Sequence, residues 1–110
     1  MEQEIGFLDV ESTIVAKAYV HLTSVTHPAP RMRLNDGRCD RAGRFLVGSL
    51  QLAPPTPVGE LYQISPNASL RTLARGIRVS NTLSFSPDGG KLYYADSLSH
   101  QIRVYDYDQG

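Results

Sequence analysis

Asn35-Asp36-Gly37-Arg38-Cys39-Asp40-Arg41-Ala42-Gly43-Arg44-Phe45-Leu46-Val47-Gly48 and Asn81-Thr82-Leu83-Ser84-Phe85-Ser86-Pro87-Asp88-Gly89-Gly90-Lys91-Leu92-Tyr93-Tyr94-Ala95 follow one pattern, with their asparagines 46 residues apart and their later members 46 or 47 apart. Each copy reads as strand, tight turn, strand. In the second, Pro87 presets the first turn position and glycine follows where a positive φ is needed, the chemistry of a tight hairpin. Each copy is followed by a further strand-like run, Glu60 to Ser65 and Gln101 to Asp108. Gly6-Phe7-Leu8-Asp9-Val10 is similar to Gly59-Glu60-Leu61-Tyr62-Gln63, so a third, partial copy opens the chain. A period near 46 with about four strands per unit is that of a β-propeller blade.

The rest of the chain agrees. Ile5 to Val10 is a short apolar run, Thr13 to Val20 alternates around Ile14, Ala16, Ala18 and Val20, and Arg44 to Leu50 is β-rich. Ser69 to Ala74 follows the turn Pro66-Asn67-Ala68, while Thr82 to Ser86 and Lys91 to Ala95 flank the second turn. No window carries a capped helical stripe. Thr26 to Pro30 and Ala53 to Pro57 are too rich in proline to sit inside a sheet and read as surface connections. The expectation is an all-β chain of about two four-stranded blades, with repeats near 35–80 and 81–110. Propellers usually close with ~4–8 blades, so 110 residues are too few to close one. The chain is expected to be part of a larger propeller, and its open blade edges offer a route to self-association.

Composition narrows the function classes. Eleven basic residues balance eleven acidic ones, which removes the electrostatic case for nucleic acid or an anionic membrane. Apolar residues make up 41%, enough for a core, and no apolar run is long enough to span a bilayer. Apart from Lys17 and Lys91 the basic residues are arginines, suited to specific hydrogen bonding. Cys39 is the only cysteine, which excludes an internal disulfide and a cysteine-based zinc site. The N-terminal Met1-Glu2-Gln3-Glu4 is acidic and lacks the apolar core of a signal peptide, so a cytoplasmic location is expected.

The segment Arg33-Leu34-Asn35-Asp36-Gly37, continuing through Asp40, Gly43, Arg44 and Phe45, resembles the SMP-30/gluconolactonase/regucalcin family. That family carries Arg-x-Asn-Asp-Gly-x-x-Asp-x-x-Gly-Arg followed by Phe or Tyr. Gly59-Glu60-Leu61-Tyr62, Val79-Ser80-Asn81, Phe85-Ser86-Pro87-Asp88-Gly89, Leu92-Tyr93 and Asp96-Ser97 occur in family order, so the resemblance runs from about Gly6 to Asp108. It implies a six-bladed propeller that hydrolyses sugar lactones, with a divalent metal (calcium, zinc or magnesium) in its central channel. The family holds that metal with a glutamate of the first blade, the asparagine of the Ser-Asn segment, and an aspartate of a later blade that also serves as base. Only the asparagine has a counterpart, Asn81. The family's substrate-contacting arginine and asparagine map to Arg33 and Asn35.

The residue chemistry suits these roles. An amide oxygen is a hard ligand for such cations. Arg33 offers a planar fork of donors, and Asn35 both donates and accepts. Asn35 and Asn81 hold equivalent repeat positions at strand starts, which points them toward one shared axis. Against this, Thr82 stands where the family usually has glycine, and Gln51-Leu52-Ala53-Pro54-Pro55 supplies no carboxylate where many members have a further substrate contact. Glu2, Glu4 and Glu11 do not sit in the family's ligand context. With two of three ligands lacking, the chain alone is expected to be inactive. The alternative is a non-catalytic blade repeat serving binding or assembly. Asn35 and Asn81 also have a plain reading, as residues bonding backbone at turns or strand starts. His21, His27 and His100 read as surface residues, Cys39 as a small buried residue within a strand, and Asp36, Asp88 and Asp96 as turn and strand-end residues.

Overall fold

The computed structural model describes residues 2–10, 16–52 and 56–107. Among them, β1 (Glu2–Val10) and β2 (Ala16–Thr26) form a hairpin. β3 (Met32–Cys39), β4 (Phe45–Gln51), β5 (Gly59–Ile64) and β6 (Leu70–Ile77) form a four-stranded antiparallel meander, and β7 (Ser80–Phe85), β8 (Lys91–Asp96) and β9 (Gln101–Asp106) a three-stranded one. The only helical element among the described residues is the short 3-10 turn Ser97–Ser99. The all-β expectation holds. Of the two four-stranded blades expected, one is seen as a sheet of four strands and the other, among the described residues, as a sheet of three, preceded by a two-stranded hairpin.

β4 shows how the sheets stack. Leu46 faces the third sheet, in a core with Leu61, Ile77, Leu83, Leu92 and Tyr94. Its neighbour Val47 points the other way, into a second core with Val25, Tyr62 and Ile64, packed by Ile5 and Leu22 of the hairpin. Strand alternation thus lets the central sheet bury both faces, and β4 and β5 are buried along nearly their whole length. β9 is exposed almost throughout. Both repeat turns close alike: the amide of Gly43 donates to the carbonyl of Asp40, and that of Gly89 to the carbonyl of Ser86. Both glycines take positive φ, 84° and 75°, as the turn chemistry requires.

Three readings need correction. The second strand, expected over Thr13 to Val20, runs on to Thr26 through a Thr- and Val-rich stretch and stops at His27-Pro28; residues 13–15 lie outside the described set. His27 is buried at 5% exposure, because it lies between the hairpin and the central sheet. Cys39 is exposed, since it ends β3 just before the turn. His21 and His100 are exposed as expected.

Candidate functional site

Both asparagines lie on the first strand of their sheet, the inner strand β3 or β7, where it departs from regular pairing. Pairing of β3 with β4 jumps between Leu34 and Gly37, leaving Asn35 and Asp36 opposite Gly48 alone. Pairing of β7 with β8 jumps between Asn81 and Ser84, leaving Thr82 and Leu83 opposite Tyr94. Such bulges re-aim side chains and recur near functional sites. Asn35 is therefore within its strand, not at its start, while Asn81 is the second residue of β7. Thr82 takes φ 53°, a left-handed conformation that is an outlier for a β-branched residue.

The two inner strands meet. Asn35 Nδ2 donates to the carbonyl oxygen of Ser80 at 2.9 Å, which places it beside the residue preceding Asn81. Arg33 Nη1 donates to Asn35 Oδ1 and to the carbonyl of Leu34, both at 3.1 Å. The Asn35 amide is thereby held at both ends. Asn81 Oδ1 accepts the amide of Thr82 at 2.9 Å, so Asn81 does bond its own backbone. Arg33 is exposed, and Asn35 and Asn81 are half-buried.

Each bulge is served by side chains from the sheet before it. The amide of Leu83 donates to Asp36 Oδ2 at 3.3 Å, and its carbonyl accepts from Arg38 Nη1 at 3.4 Å. The amide of Leu34 donates to Gln3 Oε1 at 2.7 Å, and the same oxygen accepts from His27 Nε2 at 2.8 Å. Gln3 carried no expectation from the sequence and His27 was read as a surface residue; no spacing marks either. Asp36, read as a turn or strand-end residue, is instead a bulge residue that reaches the neighbouring strand.

Two buried carboxylates brace this frame. Asp40 accepts the amides of Ala42 and Arg44 at 2.8 and 2.9 Å, Arg44 Nε at 2.7 Å, and the Tyr107 hydroxyl at 2.5 Å. Burial opposes its ionisation, but the bonds from Tyr107, Arg44 and Ala42 outweigh it and hold Asp40 below the ordinary carboxylate value. Burial, with the bond to Asp40, pushes Tyr107 up to about 12. Asp96, at 0% exposure, accepts the amides of Arg78 and Val79 at 3.1 and 3.0 Å and thereby fixes the chain entering β7. Its burial is likewise outweighed by those bonds, and its carboxyl is held low.

The fit of these residues to a divalent cation is incomplete. Among the described residues no three acidic, histidine or cysteine side chains come together as a metal-holding group. Asn81 supplies one neutral oxygen, already engaged with an amide. Glu2 and Glu4 are exposed on the hairpin, Glu2 near Thr26 and Glu4 3.7 Å from His21. Glu11 lies outside the described residues. Buried Gln51 donates to the carbonyl of Pro30 and accepts from Thr56, while Ala53, Pro54 and Pro55 lie outside the described residues. Two clefts, of about 240 and 220 Å³, open between the sheets, and neither is lined by Arg33, Asn35 or Asn81. No helix among the described residues is long and apolar enough to cross a membrane.

Comparison with known proteins agrees with this architecture. An L-arabinolactonase of Azospirillum brasilense is 38% identical over 109 residues, covering 96% of this chain and 35% of that protein. A regucalcin of Danio rerio is 32% identical over 110 residues, covering 94% and 37%. The solved structure of a luciferin-regenerating enzyme superposes with a TM-score of 0.83 at 28% identity, covering 98% of this chain and 37% of that one. The chain thus spans about a third of the length of the relatives it matches. With a family profile described as the SMP-30/gluconolactonase/LRE-like region matching residues 1–110, the chain belongs to that family.

Proposed function

We propose that this chain contributes the substrate-binding part of a sugar-lactone hydrolase, with Arg33 and Asn35 as lactone contacts and Asn81 as one neutral ligand to a divalent cation (calcium, zinc or magnesium). The observation that carries the reading is the bond from Asn35 to the carbonyl of Ser80, which sets the two asparagines on adjoining inner strands. Lactone hydrolysis adds water to an ester carbonyl and breaks the ring C–O bond, and negative charge develops on oxygen as it proceeds. The guanidinium of Arg33 can donate to that oxygen or to ring hydroxyls, and the Asn35 amide can orient a hydroxyl through either end. One amide oxygen does not hold a cation, so the remaining ligands and the base must come from outside the described residues. The chain alone accordingly binds lactone weakly and does not hydrolyse it.

The test is titration of the 110-residue protein with five- and six-carbon sugar lactones by NMR, beside a pH-stat assay with and without added cation and chelator. Chemical-shift changes centred on Arg33 and Asn35 and abolished in Asn35→Ala, with no turnover, are expected. Chelator-sensitive turnover would overturn the inactivity of the chain, and no lactone response at Arg33 or Asn35 would overturn the substrate role. A second reading, assembly through the blade edges, is favoured by one observation. Tyr93 of β8 and Ile102 and Val104 of the outer strand β9 share the open face of the third sheet at 36%, 76% and 52% exposure. It predicts a defined oligomer, read by native mass spectrometry.

A further inference from the structure

The sheet of β1 and β2 carries no residue of the site just proposed, yet it delivers a side chain into it. Gln3 Oε1 takes the amide of Leu34, the residue between Arg33 and Asn35 and the last one paired before the bulge. That oxygen is an acceptor only, so the imidazole nitrogen at 2.8 Å, His27 Nε2, carries the proton it donates. His27 thereby fixes the rotation of the Gln3 amide, and Gln3 fixes the backbone between the two lactone contacts. We propose that Gln3 is a positioning residue for Arg33 and Asn35, oriented by His27, so that the protonation of one buried imidazole sets the geometry of the substrate-binding strand.

The geometry makes the coupling directional. His27 is buried, and its Nδ1 has no hydrogen-bond partner. A second proton would land on Nδ1, giving a buried N–H with no acceptor and a buried charge. To hydrate that group the ring must turn toward water, which withdraws Nε2 from Gln3 and frees the Gln3 amide. Burial accordingly lowers the proton affinity of His27, the chain's amino terminus lowers it further, and Glu60 on β5 opposes them. Glu60 is itself paired with Arg75 at 3.0 Å, which blunts its pull. The corresponding bulge of β7 has Asp36 in the role that Gln3 plays for β3, so the device is a side chain from one sheet completing the inner strand of the next.

The proposal rests on Arg33 and Asn35 being the lactone contacts, but its test needs no lactone. The 110-residue protein is titrated with acid while NMR follows the His27 ring, the Leu34 amide, the Asn35 side-chain amide and the Arg33 Nε–H. The last three are expected to shift together with the His27 ring, at a midpoint below 6.5, and to stay flat in His27→Gln. In Gln3→Met the Leu34 amide is expected to exchange with solvent at least ~10-fold faster. Gln3→Glu keeps the acceptor and should restore that protection while moving the His27 midpoint upward, because a carboxylate then faces the imidazolium. Should Gln3→Met fail to fold, the Gln3→Glu titration still decides. Leu34, Asn35 and Arg33 signals that ignore the His27 titration would overturn the proposal, as would an unshifted midpoint in Gln3→Glu. Lactone binding that proves absent leaves these readouts intact and counts against the substrate role alone.

Discussion

Replacing Thr82 with glycine should stabilise the protein. Thr82 takes φ 53° and is exposed, so its side chain brings strain without buried contact. A left-handed conformation costs an L-residue about 1–2 kcal/mol, and β-branching puts threonine at the upper end. Glycine removes that strain and adds about 0.4–1 kcal/mol of unfolded-state entropy to be overcome. The net expectation is a gain of about 1 kcal/mol, or roughly 0.5 M in the urea midpoint for a small domain. The bond from the residue 82 amide to Asn81 Oδ1 uses backbone and survives the change. Thr82→Val, which keeps the branch and loses only the hydroxyl, should match the parent, and Thr82→Asn should fall between, since asparagine tolerates this region. Urea unfolding followed by circular dichroism measures all three. A Thr82→Gly midpoint at or below that of Thr82→Val would refute the strain argument. The same φ explains why glycine is usual after this asparagine in the family the chain resembles.

Other changes act on the frame of the site. A Cβ at Gly48 would lie 2.0 Å from Ser80 Oγ and 2.2 Å from its Cβ, and Ser80 is fully buried; Gly48→Ala should cost about 2–3 kcal/mol, largely relieved by adding Ser80→Gly in a double-mutant cycle. Tyr107→Phe removes a donor to the Asp40 carboxylate and should cost about 1.5–3 kcal/mol near neutral pH. Because the folded-state value of Asp40 is depressed, its contribution is present above about 3.8 and lost as pH falls through the lower folded value, so acid unfolding of Tyr107→Phe should begin at higher pH. For His27, a base held low by burial, stability should be flat above 6.5 and decline as pH falls from 6.5 to the folded value; His27→Gln should remove that slope in thermal melts.

The parts of the fold that were legible in sequence are those fixed by local rules. The turn at Gly43 and its counterpart at Gly89 could be read because positive φ and proline leave marks in composition. Their 46-residue offset is what exposed the blade period. Arg44 to Leu50 could be read as a strand, but not which neighbouring sheet Leu46 and Val47 would each meet. What stayed hidden depends on contacts between sheets. His27 looked like a surface residue because a lone histidine carries no periodicity, and it became buried only when the hairpin closed over β3. Cys39 was read as buried within a strand; it does belong to β3, but as the strand's last residue it loses its cover to the bend that follows and is exposed. Arg33, Asn35 and Asn81 became candidates through family resemblance, whereas the bulges at Asn35 and beside Asn81 could not be counted from residue types alone.

The bulges have a consequence for how such a site can be built. Each one frees the inner strand from part of its own sheet, and each is answered by side chains from the sheet before: Gln3 for Leu34, Asp36 and Arg38 for Leu83. The inner strands are therefore secured across the stack of sheets as well as within it. An unsatisfied buried amide costs about 1–3 kcal/mol, so an inner strand lacking its preceding sheet would lose either its bulge or its stability. This makes the position of Asn35 a property of the hairpin and central sheet together, and that of Asn81 a property of the central and third sheets together. Substitutions at Gln3 or Asp36 should thus reach the asparagines more strongly than equally conservative changes at Gln101, an exposed residue of the outer strand β9. A per-residue comparison of Gln3→Met, Asp36→Leu and Gln101→Met spectra would show the ordering directly. Equal disturbance of Asn35 and Asn81 by all three would mean that the inner strands are held by their own ladders after all.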